Sequence, residues 1–190
     1  MPTTSLTVAV ASSEDDAEQS AAGAVNLTST DLEFVNDDAS GAGDQLVGMR
    51  FNDISIPPGA VVTNATIQFT ADESQSDITT LDIFVEAANN AAAFADSANN
   101  LGARTRVSLS VPWAPAAWTA GQSNVTQRTP NLAGLVQEVI SRPGWVAGNP
   151  IVFLAESCLL SGRIACLSQV PRIAIAPWSA PSGLIKTVAT

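Results

Sequence analysis

The sequence predicts an all-β fold, an antiparallel β-sandwich with one short amphipathic helix near residues 130–141. Three observations carry that expectation. Apolar residues alternate with polar or small ones in run after run, the period of a strand with one buried face. Groups of Pro, Gly, Asn and Asp separate the runs and supply the backbone angles that turns need. One segment alone leaves the two-residue period and takes up helical spacing.

The strands follow in order. Leu6, Val8 and Val10 alternate first, then Val47, Met49 and Phe51, then Ala65, Ile67 and Phe69. Leu81, Ile83 and Val85 come next, followed by Val107, Leu109 and Val111, and last by Ile173 and Ile175. Ile151, Val152, Phe153 and Leu154 form an unbroken apolar run, suited to a central strand covered on both faces. Between them lie a polar loop at 37–44, a tight turn at Pro57-Pro58-Gly59, and an alanine-rich connection bracketed by Asn89-Asn90 and Asn99-Asn100. About nine or ten short strands are expected.

In the helical segment, Leu132, Leu135, Val136, Val139 and Ile140 fall on one face. Thr129 is the expected N-cap and Pro130 the first helical residue, where a missing N–H does no harm. Pro143-Gly144 ends it, and the helix is expected to cover one end or edge of the sandwich with Trp145 beneath. No repeat or linker divides the 190 residues, so a single domain is expected over 1–178. The tail 179–190, with apolar Leu184, Ile185 and Val188, is a candidate for docking on a neighbour.

Charge narrows the function. Residues 1–100 hold sixteen acidic residues and one basic one, Arg50, whereas 101–190 hold two acidic and seven basic residues. A net charge of −10 repels nucleic acid and anionic lipid. No apolar run approaches the ~18–20 residues of a bilayer span, so no membrane insertion is expected. The segregation fits divalent-cation binding by the acidic half, complementary contacts between copies, or plain solubility. The first residues, MPTTSLTVAVASSEDD, lack a basic n-region and a long apolar stretch and read as leaderless. Either a leader has been removed, or the protein reaches its destination by assembly or lysis.

Histidine and tyrosine are absent, which removes every His-dependent triad, acid–base pair and zinc set. Lys186 is the sole lysine and no Ser-x-x-Lys motif exists to activate a nucleophile. The carboxylates lie in polar surroundings without the aromatic neighbours that would raise one member of a glycosidase pair. An enzyme is therefore not expected. Calcium takes six to eight oxygen ligands from loops, and Asp15, Asp16 and Glu18 with Asp31 and Glu33 are the candidate set, solvated turns being the alternative. Trp113 and Trp118 flank a proline-stiffened loop; exposed, they would stack on a sugar or anchor a partner, and otherwise they pack over a sandwich edge. Cys158 and Cys166, eight apart around Ser161-Gly162, suit a hairpin disulfide and equally a free thiol pair.

Several stretches together resemble a module of bacterial extracellular and surface proteins: Ser12-Ser13-Glu14-Asp15-Asp16-Ala17-Glu18, Val47-Gly48-Met49-Arg50-Phe51, Ile56-Pro57-Pro58-Gly59-Ala60 and Ile67-Gln68-Phe69-Thr70-Ala71-Asp72-Glu73. Trp113-Ala114-Pro115-Ala116-Ala117-Trp118 and Ser141-Arg142-Pro143-Gly144-Trp145 continue the likeness. They are similar to jelly-roll modules related to DNRLRE-type carbohydrate-binding domains, over about residues 5–177. The resemblance implies a β-sandwich, a calcium site at Asp15-Asp16-Ala17-Glu18, and an adhesive, scaffolding or glycan-binding role. The cysteine-bearing stretch from Cys158 to Cys166 departs from the family pattern. Two functions follow as expectations. One is a structural or decoration subunit, partnered by itself or a larger assembly such as a phage capsid or surface filament. The other is a carbohydrate-binding or adhesive module of a secreted bacterial protein. Both place the chain on a virion or outside the cell.

Overall fold

The computed structural model describes residues 4–37, 43–76 and 79–157, with the backbone of 173–175 and 184–186. In chain order the strands are β1 (Thr7–Val8), β2 (Asp16–Ser20), β3 (Val25–Asn26), β4 (Leu32–Phe34), β5 (Asn36–Asp37) and β6 (Gly43–Phe51). There follow β7 (Thr66–Gln68), β8 (Leu81–Val85), β9 (Val111–Trp113), helix α1 (Ala133–Ile140), β10 (Ile151–Ser157), β11 (Ile173–Ile175) and β12 (Leu184–Lys186). The architecture is the expected all-β, antiparallel, sandwich-like one. The main sheet runs β3-β2-β6-β10-β8-β9, with β5 paired to the start of β6. β12 pairs with β1 and β7, and β11 with β4, outside that sheet.

β10 is the centre, as its unbroken apolar run predicts. All seven of its residues are buried, and it pairs with both β6 and β8, Phe153 lying opposite Met49 on one side and Val85 on the other. Alternation sorts the side chains. Val47, Met49 and Phe51 of β6, Leu81, Ile83 and Val85 of β8, and Ile151, Phe153 and Ala155 of β10 enter one large apolar cluster. Leu46, Phe84, Val152 and Leu154 point the opposite way into a second.

The large cluster is closed by Leu32 and Phe34 of β4, Ile67 of β7, the extended stretch around Ile54 and Ile56, and α1. Helix α1 buries Leu135, Val136, Val139 and Ile140, the predicted face. Its start differs from expectation. Thr129 and Leu132 donate their N–H groups to the carbonyls of Ile67 and Ala65, so this stretch runs extended beside β7. The Thr129 hydroxyl accepts from the Ile67 N–H at 3.0 Å instead of capping a helix. Asn131 Oδ1 accepts from Ala133 N–H at 2.9 Å, and the helix begins there. Trp145 sits beneath as expected, its indole N–H donating to the Ile56 carbonyl at 2.9 Å.

The second cluster corrects a sequence expectation. Alternation read the Gly48 side of β6 as a solvent face, yet the alanine-rich connection 87–105 folds over it and buries Phe94 and Leu101 there. Gly48 makes room for it: a Cβ at that position would come within 2.6 Å of the Phe94 ring. Gln19 Oε1 accepts from the N–H groups of Leu101 and Gly102 at 2.9 and 3.0 Å. Arg104 binds Glu86 at 2.7 Å, donates to the carbonyls of Ala92, Ala93 and Asn100, and lies over the Phe94 ring.

Two further observations concern strands. Val107 and Leu109 form no strand: Val107 keeps one backbone hydrogen bond, to the Val85 carbonyl, Leu109 is exposed, and the ladder with β8 begins at Val111. The segment 184–186, in the tail that is a candidate for docking on a neighbour, pairs with β1 and β7 of its own chain. Among the described residues no helix is long and apolar enough to cross a membrane.

Leu135 is fully buried, and Leu135→Asp is expected to cost at least about 3 kcal/mol by placing a carboxylate among apolar groups. Gly48→Ala is expected to cost about 1–3 kcal/mol through overpacking against Phe94. Urea denaturation midpoints check both.

Candidate functional site

The acidic run Glu14-Asp15-Asp16-Ala17-Glu18 does not lie wholly on a turn. It enters β2 at Asp16, and strand alternation then divides its members. Ala17 and Gln19 face the second cluster, the former in contact with it and the latter holding Leu101. Glu18 faces the other way, and its Oε1 accepts from the backbone N–H of Glu33 in β4 at 2.6 Å. Asp31 and Glu33 are partly exposed beside it, each engaged with a partner of its own.

Asp15 precedes the strand and is buried. Its carboxylate accepts from Arg50 Nη1 at 2.5 Å, Asn52 Nδ2 at 2.8 Å and the Ser12 hydroxyl at 3.0 Å. The Arg50 Nε also donates to the Ala91 carbonyl at 3.0 Å. One guanidinium, the only basic group in the first hundred residues, thus ties the β2 turn to the chain covering the second cluster. Such a pair is a structural lock: charge-assisted, multiply hydrogen-bonded and sheltered from water.

Asp16 has a different environment. It is half-buried and lines a cavity of about 310 Å³ together with Val10, Ser12, Ser13, Leu27 and Ser29. Burial, and next the charge of Asp15, push its pKa up to about 6, against a partial offset from its own backbone N–H. Two adjacent aspartates therefore do unlike things, one locked to a cation and one left facing a cavity.

The five calcium candidates are dispersed over these separate roles. Among the described residues no group of three or more His, Cys, Asp or Glu side chains is brought together to hold a metal ion. Of the two arrangements the sequence allows for the tryptophan pair, the structure has the packed one. Trp113 and Trp118 are buried, because Phe34 and Phe69 pack on them: Trp113 stacks on Phe69 at 5.7 Å, and Trp118 lies 6.3 Å from the same ring. The Trp118 indole N–H donates to the Thr126 carbonyl. Cys158 and Cys166 lie outside the described residues.

The described arginines of the second half also turn inward. Arg104 pairs with Glu86 and Arg106 with Glu156, each at 2.7 Å. Arg106 lies over Phe84, while Arg128 and Arg142 donate to the side-chain carbonyls of Gln68 and Asn89. Leu27 and Ser29, which help form the cavity, carry no spacing signal. They reach it from the turn after β3, and only the pairing of β3 with β2 brings them there. Comparison with protein-family models and with curated proteins finds no match for this chain.

The folded Asp16 carboxyl keeps its proton up to about pH 6, the unfolded one only to 3.8. The protonated form therefore favours folding at low pH, and that contribution is lost as pH rises through about 6. Asp16→Asn is expected to stabilise the protein by about 1–2 kcal/mol at pH 7.5, discounted for partial exposure. The gain should vanish near pH 4, as read from urea denaturation at the two pH values.

Proposed function

We propose that the chain is a non-catalytic structural subunit that assembles on a larger particle, such as a capsid decoration on a phage virion or a component of a surface filament. The observation that carries this reading is the direction in which its polar chemistry points. Arg50, Arg104 and Arg106 lock loops to the sheet, and both tryptophans of the 113–118 loop are packed inside. A sheet covered on both faces and fastened at its rim holds shape under load, which suits a building block. The absence of histidine and tyrosine supports the same conclusion, since general acid–base catalysis draws most often on the first.

Glycan binding by a secreted module is the second reading, favoured by the likeness to DNRLRE-type domains and by the hydroxyl-lined cavity beside Asp16. Burial of Trp113 and Trp118 counts against it, because sugar recognition commonly uses exposed rings. Calcium has no part in the reading we propose, as Asp15 is already held by Arg50, Asn52 and Ser12. A melting temperature that rises with added Ca²⁺ and falls with EDTA would bring the ion back.

Sedimentation of the untagged full chain at low and high salt is the test. A subunit of an assembly is expected to form species larger than the monomer, or to bind isolated particles of its source. A strict monomer that is retarded on polysaccharide gels would overturn the proposal in favour of glycan binding.

A further inference from the structure

We infer that the cavity at the head of β2 is a binding site for an alkyl cation, an ammonium or guanidinium group on a short apolar stem, with Asp16 as its counter-ion. The site is distinct from the Asp15–Arg50 lock although the two acids are adjacent. Asp15 already has a cation and two further donors. Among the described residues the walls around Asp16 are uncharged: Val10, Ala11 and Leu27 are apolar, and Ser12, Ser13 and Ser29 bring hydroxyl groups.

Each part of this lining answers to a part of the ligand. The cavity, about 310 Å³, is at the lower end of the range for small-ligand sites, large enough for a four-carbon stem with a charged head. Val10 and Leu27 suit the stem. Serine oxygens can accept the N–H bonds that one carboxylate leaves over, since an ammonium has three donors and a guanidinium five. An anion would meet the charge of Asp16. A neutral polyol could bond to the serines but would leave the carboxylate uncompensated.

Energetics point the same way. Asp16 is held ionised at neutral pH against burial and against its neighbour's charge, and among the described residues no cation lines its cavity. A residue that weakens the free fold in this way is characteristic of a site whose compensation arrives with a ligand. The cation could come from a basic side chain of another chain or from a free amine. The chemistry at Asp16 is the same for both.

Nuclear magnetic resonance titration of the full chain tests the site, with butylammonium and butylguanidinium as probes and n-butanol as the neutral control. At pH 7.5 the cations are expected to give saturable shifts at the amides of Ser12 to Ala17 and Leu27 to Ser29, and n-butanol none. Asp16→Asn should weaken binding at least tenfold with melting behaviour showing an intact fold. Lowering the pH to 5 should weaken it by roughly tenfold, as the proton competes for the carboxylate. Ser29→Ala should lower affinity for the cations while leaving the Asp16 titration in place. Equal binding of n-butanol, an unchanged affinity in Asp16→Asn, or no saturation up to about 100 mM would overturn the assignment.

Sedimentation with butylammonium present separates the sources. Assemblies that shrink identify a basic side chain of another copy, and assemblies of unchanged size identify a free amine. The titration reads Asp16 whether or not the chain self-associates, so its failure would leave the structural-subunit proposal standing.

Discussion

A central strand that is apolar on both faces imposes the rest of this structure. Every residue of β10 is buried, and neither face can be given to water. Flanking by β6 and β8 satisfies its backbone ladder on both edges but leaves two apolar surfaces to be covered. Each must be covered by chain from elsewhere, and the two solutions differ. On one face, β4, β7, α1 and the stretch around Ile56 supply a broad set of aliphatic and aromatic side chains. On the other, a connection without strand or helix brings in Phe94 and Leu101 and is held by side-chain amide and guanidinium groups.

This division explains why the charges are placed as they are. Along the sequence the acidic and basic residues are segregated, but the fold brings members of the two halves together, as in the Glu86–Arg104 pair. Removing one partner of a buried pair typically costs about 3–5 kcal/mol, because the other charge is stranded away from water. Arg50 and Arg104 therefore act as fasteners whose geometry a lysine could not copy: each uses several guanidinium N–H groups at once, on a carboxylate and on backbone carbonyls. Asp16 stands apart from that scheme, and the contrast with Asp15 separates the binding chemistry from the scaffold.

Much of the large cluster was legible in the sequence. The alternations at Val47–Phe51 and Leu81–Val85 and the run from Ile151 each correspond to a strand, and the apolar face of α1 is the one its spacing indicates. What failed did so for physical reasons. Thr129 looked like a cap because cap residues and turn residues are alike, while the competing ladder with β7 is a tertiary contact that no local pattern records. Val107 and Leu109 have strand periodicity, but only an isolated bond from Val107 to Val85 reaches β8 there, and alternation does not record where a ladder breaks. The covering connection was unreadable because its two large apolar residues, Phe94 and Leu101, are isolated among alanines and asparagines. At the candidate site the acidic residues were visible as a cluster. Their separation into a lock and a cavity wall depends on which way each faces at the entrance to β2, where one residue's shift exchanges the two roles.

The loop-built cover has a consequence for how the molecule comes apart. With no ladder of its own, the 87–105 connection is held by separate side-chain anchors, among them Gln19, Arg50 and Arg104, so it can be released by their loss while the β6-β10-β8 ladder stays intact. Once it lifts, Val152 and Leu154 form a flat, dry strip open to any passing chain. A particle assembled from many such units would be expected to age from this face first, through partial opening and adhesion between neighbours, with the rest of each unit still folded.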